Sequence, residues 1–168
     1  MCSSDLQRED INKMLAAMRG SPSNVTGWLT GRAELAGHGS DLGALQGRGN
    51  LEITDGILWQ APLFGIFSKI LGNTKATSAK ADFVIADQAV TTDNLQIAAG
   101  AFTASSHGKL QFDGGLDFRV KAVFLRSWPG INIVSAILGQ ILEYKVGGTL
   151  GDPNYRPVNL PKELLPHD

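Results

Sequence analysis

Between residues 77 and 125, apolar side chains recur at every second position, one parity at a time. Ala79, Ala81, Phe83 and Ile85 fall together, with Lys80 and Asp82 between them. Leu95, Ile97 and Ala99 continue the pattern, then Phe102, Ala104, Leu110 and Phe112, then Leu116, Phe118, Val120, Ala122 and Phe124. Period two is the side-chain repeat of extended backbone, so the stretch predicts four strands in two hairpins, with one apolar face and one wet face. Asp113-Gly114-Gly115 supplies residues that tolerate positive φ in a tight turn. The parity places Phe83, Ile85, Leu95, Ile97, Leu110, Phe112, Leu116, Phe118 and Val120 on one shared face.

The same alternation extends both ways. Residues 25–35 predict a strand with Leu29, Ala33 and Leu35 on one face, ended by Gly37-His38-Gly39-Ser40-Asp41. Residues 45–54 predict the next, running into the turn dipeptide Asp55-Gly56, and residues 144–150 predict a last one. An internal echo links them: Gly49-Asn50-Leu51-Glu52-Ile53-Thr54-Asp55-Gly56 parallels Gly108-Lys109-Leu110-Gln111-Phe112-Asp113-Gly114-Gly115, with shorter copies at Gly31 and Gly148. Repetition of one strand-and-turn unit predicts a sheet extended by addition.

Two apolar runs break the alternation and predict helices. Residues 62–71 open on Pro62 and stop at Gly72-Asn73. Residues 129–142 carry Ile131, Ile133, Val134, Ile137, Leu138, Ile141 and Leu142. The longer, at roughly 14 residues and ~21 Å, falls short of the ~30 Å hydrocarbon core, so neither spans a membrane. Packing on the apolar face is expected for both, with dipping into lipid as the alternative. A third helix is expected from Ile11, Met14, Leu15 and Met18, spaced along one helical face. The fold class is thus mainly β with short helices: a curved, groove-like antiparallel sheet of about seven or eight strands, with two apolar helices near one face. Glycine, at 20 residues, is expected to bend it. The divisions are 1–24, N-terminal helix and linker; 25–158, β domain; 159–168, extended tail.

Composition removes most chemistry. A formal charge of −1 with scattered Lys and Arg gives no basic stripe, so no nucleic-acid partner is expected. The single cysteine, Cys2, allows no intrachain disulfide. Asp55, Asp87, Asp93, Asp113 and Asp152 stand at turns, where aspartate bonds its own backbone. His38, His107 and His167 lack ligand spacing, and no nucleophile elbow or phosphate loop occurs. No catalytic residue, metal site or cofactor is expected, and the chain is read as no enzyme. The start, Cys2-Ser3-Ser4-Asp5-Leu6, back-translates into the end of a common sequencing adapter, so residues 1–24 are expected to hold a truncation point.

In order along the chain, these features resemble the C-terminal region of the AsmA-like proteins of the diderm bacterial envelope. The resemblance rests on Leu45-Gln46-Gly47-Arg48-Gly49-Asn50-Leu51-Glu52-Ile53-Thr54-Asp55-Gly56-Ile57-Leu58 followed by the 62–71 segment, then the 79–97 hairpin with its Asp93-Asn94-Leu95 step. Residues 108–120 follow, and then Tyr144-Lys145-Val146-Gly147-Gly148-Thr149-Leu150-Gly151-Asp152-Pro153. The family's N-terminal membrane anchor and most of its long groove have no counterpart here, as in a fragment. The resemblance implies a periplasmic, inner-membrane-anchored bridge that carries phospholipid acyl chains along a β groove and supports outer-membrane biogenesis. The membrane would be reached through the missing anchor and through segments 62–71 and 129–142. Exposing an acyl chain of about 16 carbons costs ~0.8 kcal/mol per methylene, or ~10 kcal/mol in all, which a continuous apolar surface can offset. The nine residues of the shared face are then the lipid-binding set. The alternative is a structural β domain with a closed core, serving as a cap or docking module.

Overall fold

Nine strands cross a single antiparallel sheet in chain order, in a computed structural model that describes residues 2–13, 25–38, 41–58, 61, 63–67, 76–100, 102–124 and 141–159. They are β1 (Cys2–Asp10), β2 (Trp28–Ala36), β3 (Gln46–Gly56), β4 (Ala76–Ala86), β5 (Ala89–Ala99), β6 (Phe102–Gln111), β7 (Leu116–Phe124), β8 (Ile141–Gly148) and β9 (Pro153–Asn159). Each strand pairs with its neighbours in sequence. β1 and β9 stand at opposite edges, and the sheet is neither closed nor strongly curled.

Local chemistry explains the hairpins. Asp87 and Gln88, with φ of 50° and 59°, form the two-residue turn between Ala86 and Ala89, the geometry that suits strand twist. At the β6–β7 turn the Asp113 carboxylate accepts from the Gly115 N–H at 2.8 Å, and Gly114 takes φ of 92°. One extra residue in β5 breaks the register against both β4 and β6 around Asp93-Asn94. The Asn94 side chain repairs the gap. Its Oδ1 accepts from the Asp82 N–H at 2.8 Å, and its amide donates to Asp82 Oδ2 at 2.6 Å. The parity change that this bulge causes keeps Leu95, Ile97 and Ala99 on the same face as Val90.

Several expectations change. Nine strands replace seven or eight, because Cys2–Asp10 and Pro153–Asn159 join the sheet at its edges. Pro153 and Pro157 hide the last strand from an alternation count, yet an edge strand needs donors on one side only. Of the 11–18 helix, only Ile11–Lys13 is described, as a single helical turn; the rest lies outside the described residues. The 62–71 helix is not formed over its described part, where Gly65–Phe67 makes one 3-10 turn. Ile141 and Leu142, assigned to the second apolar helix, open β8; the remainder of 129–142 lies outside the described residues. Strong curvature is absent for a physical reason. Gly31, Gly47 and Gly49 run through unbroken registers and make room rather than bends. A Cβ at Gly49 would strike the Arg32 carbonyl and the Phe83 ring.

Candidate functional site

Directly opposed residues form apolar rows that cross the sheet on one face. The first runs Leu29, Ile53, Ala79, Ile97, Ala104, Ala122, Leu142. A second joins Leu95, Ser106, Val120 and Tyr144. A third joins Leu35, Gly47, Ile85, Val90, Leu110 and Leu116. The other face carries the cross-strand ion pairs Arg48–Glu34 (3.1 Å), Lys80–Glu52 (3.2 Å) and Arg119–Glu143 (3.3 Å). Exposed pairs of this kind add little stability and mark the wet side. A recess of 520 Å³ there is lined by Thr30, Asn50, Glu52, Lys80, Asp82 and Asn94, charges of both signs that select neither anion nor cation. Among the described residues no group of His, Cys, Asp and Glu is placed to hold a metal ion.

One end of the apolar face is covered. Described residues 57, 58, 61 and 63–67 form a strap that belongs to no strand ladder and lies over β6 to β8. Its Phe67 is fully buried in a cage of rings, with centroids 5.0 Å from Phe102, 6.2 Å from Phe124 and 5.7 Å from Tyr144. Edge-on ring contacts at these distances are favourable beyond the area they bury. Tyr144, itself 0% exposed, donates its hydroxyl to the Leu63 carbonyl at 2.7 Å. Burial, and then the neighbouring Tyr155, push the Tyr144 hydroxyl well above its ordinary pKa, so it stays a donor. Strap backbone bonds from Phe64 N–H to Ala61 O and from Phe67 N–H to Phe64 O, each 2.9 Å, close its turns.

The nine residues placed on the face by parity divide into three sets. Ile97, Leu116, Phe118 and Val120 are buried, with Val120 at 0% exposure. Phe83, Ile85, Leu95 and Leu110 are half-buried; Leu95 and Leu110 pack against the buried cluster, and Leu95 shares its row with Tyr144 of the cage. Phe112 does not join them. It sits in the β6–β7 turn, 38% exposed, its N–H donating to the Gln88 carbonyl at 2.8 Å. The alternation of β6 ends at Gln111 with the strand, so parity does not carry over to Phe112. Sequence reasoning missed Ser106, an inward position of β6 that is 2% exposed, although its parity with Phe102 and Ala104 pointed to it.

Among the described residues no helix is long and apolar enough to cross a membrane, which says nothing of crossing by strands. No protein family matches the chain, and neither curated proteins nor solved structures show significant similarity to it.

Proposed function

We propose that this chain is a segment of an AsmA-like, bridge-type envelope protein, working on the periplasmic side of an inner-membrane anchor and shielding phospholipid acyl chains on its apolar sheet face. The observation that carries the reading is the set of apolar rows, free of charged side chains from β2 to β8, which among the described residues are covered at one end. The half-buried strip of Phe83, Ile85, Leu95 and Leu110 is where an acyl chain lies, with the sheet as a shallow groove floor and the strap as its end wall. Headgroups stay in water beyond the strip. Lipid binding here needs no polar catalytic group, because the driving force is the methylene surface removed from water.

A photo-crosslinking amino acid tests this at Phe83, Ile85 and Leu95, with Val84 and Lys109 on the wet face as controls. Phospholipid adducts should form at the first three positions and not at the controls. Equal labelling of both faces, or none, overturns the proposal.

The closed-core reading has one observation in its favour, the complete burial of Phe67, Phe102, Phe124 and Tyr144. In that reading the sheet is a docking module and the half-buried strip is the margin of its core. Phe83→Glu separates the two. A lipid floor tolerates the carboxylate at a cost of about 1–2 kcal/mol and loses its adducts, whereas a core margin shows no adducts before or after.

A further inference from the structure

Ser106 is out of place on its face. Its Oγ is buried and has no hydrogen-bond partner among the described residues, in a row otherwise made of Leu95, Val120 and the Tyr144 ring. A buried hydroxyl without a partner is costly, and an alanine would fill the same place without that cost. Two strands away in the same row, the Tyr144 hydroxyl is satisfied by a carbonyl, and that carbonyl belongs to the strap (Leu63). Beside it Phe67 fills the aromatic cage. The strap thus presents a carbonyl oxygen followed by an apolar group, which is also the chemistry of an acyl ester.

Resting on the acyl-shielding reading, we propose that the Ser106 hydroxyl is a subsite for the ester carbonyl of an acyl lipid, and that the strap is a removable stand-in held by Tyr144. When the strap lifts, the cage of Phe102, Phe124 and Tyr144 takes the acyl chain in place of the Phe67 ring, one apolar group for another. Ser106 then donates to the ester carbonyl and gains the partner it lacks. Among the described residues the strap forms no part of any strand ladder, so its lifting breaks no ladder, and the acyl chain takes over the core contacts of Phe67. The class of ligand follows: O-acyl lipids, in preference to ether-linked lipids of equal length that bring no carbonyl.

The experiment titrates the full chain with palmitoyl lysophosphatidylcholine and with its O-hexadecyl ether analogue, below their micelle concentrations. The ester should bind the wild type about tenfold more tightly, the weight of one hydrogen bond. Ser106→Ala should bring the ratio to about one without lowering the melting temperature, because an orphan hydroxyl has been removed. Tyr144→Phe should strengthen both ligands by releasing the strap and should preserve the ratio. Equal affinities in the wild type, or an unchanged ratio in Ser106→Ala, overturn the subsite and leave the acyl-shielding reading intact. Weaker binding of both ligands by Tyr144→Phe overturns the stand-in role of the strap. Failure of the wild type to bind either ligand overturns the acyl-shielding reading itself.

Discussion

Gly108 shows how closely this sheet is fitted residue by residue. Its φ of 150° belongs to glycine, and a Cβ there would strike the Asp117 carbonyl and come within 2.6 Å of Phe118 Cα. Gly108→Ala should therefore cost about 2–3 kcal/mol in chemical denaturation, against less than about 0.5 kcal/mol for Gly151→Ala, where a Cβ meets open space. Two phenylalanines that alternation alone treats as equals part company in the same way. Phe112→Glu, in the exposed turn, should shift stability by no more than about 0.5 kcal/mol. Phe118→Asp buries an unpaired carboxylate at a site 6% exposed and should cost about 4 kcal/mol or more, read as a collapse of the melting transition. Nothing in the alternation distinguishes the two, because parity says which way a side chain points and not where the strand stops. Asp113-Gly114 marked that stop, and the count ran one residue into it.

The strap and the β5 bulge are the elements on which the apolar face depends. Asn94→Ala should cost about 1 kcal/mol by removing both bonds to Asp82. Hydrogen exchange should then show the loss concentrated at the amides of Asp82 and its neighbours. The strap also predicts a pH dependence. The folded-state pKa values of Tyr144 and Tyr155 are both raised above the unfolded value, Tyr144 the more, so folding favours the neutral phenols. Their contribution is fully present below the unfolded pKa of about 10, and is lost as pH rises from there through the folded values. Thermal stability should be flat in this respect from neutral pH to about 9 and fall above 10, and Tyr144→Phe should make that fall shallower. The strap read as a helix because it is apolar on all sides, which a helix and a buried turn share. Gly65 gave the better clue: a Cβ there would lie 2.6 Å from the Tyr155 hydroxyl. Similarly, Ile141 reads as helical only when joined to the run before it. Read forward, Ile141 out, Leu142 in, Glu143 out and Tyr144 in is already a strand.

For the whole molecule, the sequence made plain the strands whose two faces differ sharply, β4 to β7, and left obscure the two that lie at the edges. An edge strand has one neighbour and less apolar surface to hide, so its alternation fades. In β9 the prolines and the exposed Val158, 52% accessible, look like a tail until Tyr155 is seen opposite Val146. The same gradient predicts the order of amide protection: highest in β6 and β7, lowest in β1 and β9, with the sequence neighbours between. Uniform protection across all nine strands would contradict it. Order in the sheet follows order in the chain throughout, and this has a mechanical consequence. The first and last strands are the two outer ones, about 38 Å apart at roughly 4.8 Å per strand. Tension between them loads the sheet across its hydrogen bonds rather than along its strands. Such a sheet yields by peeling, one ladder at a time from either side, because each strand is secured chiefly by its immediate neighbours. Pulled from its ends, it should lengthen in small steps at low force, and the strands that keep the apolar cage should be the last to part.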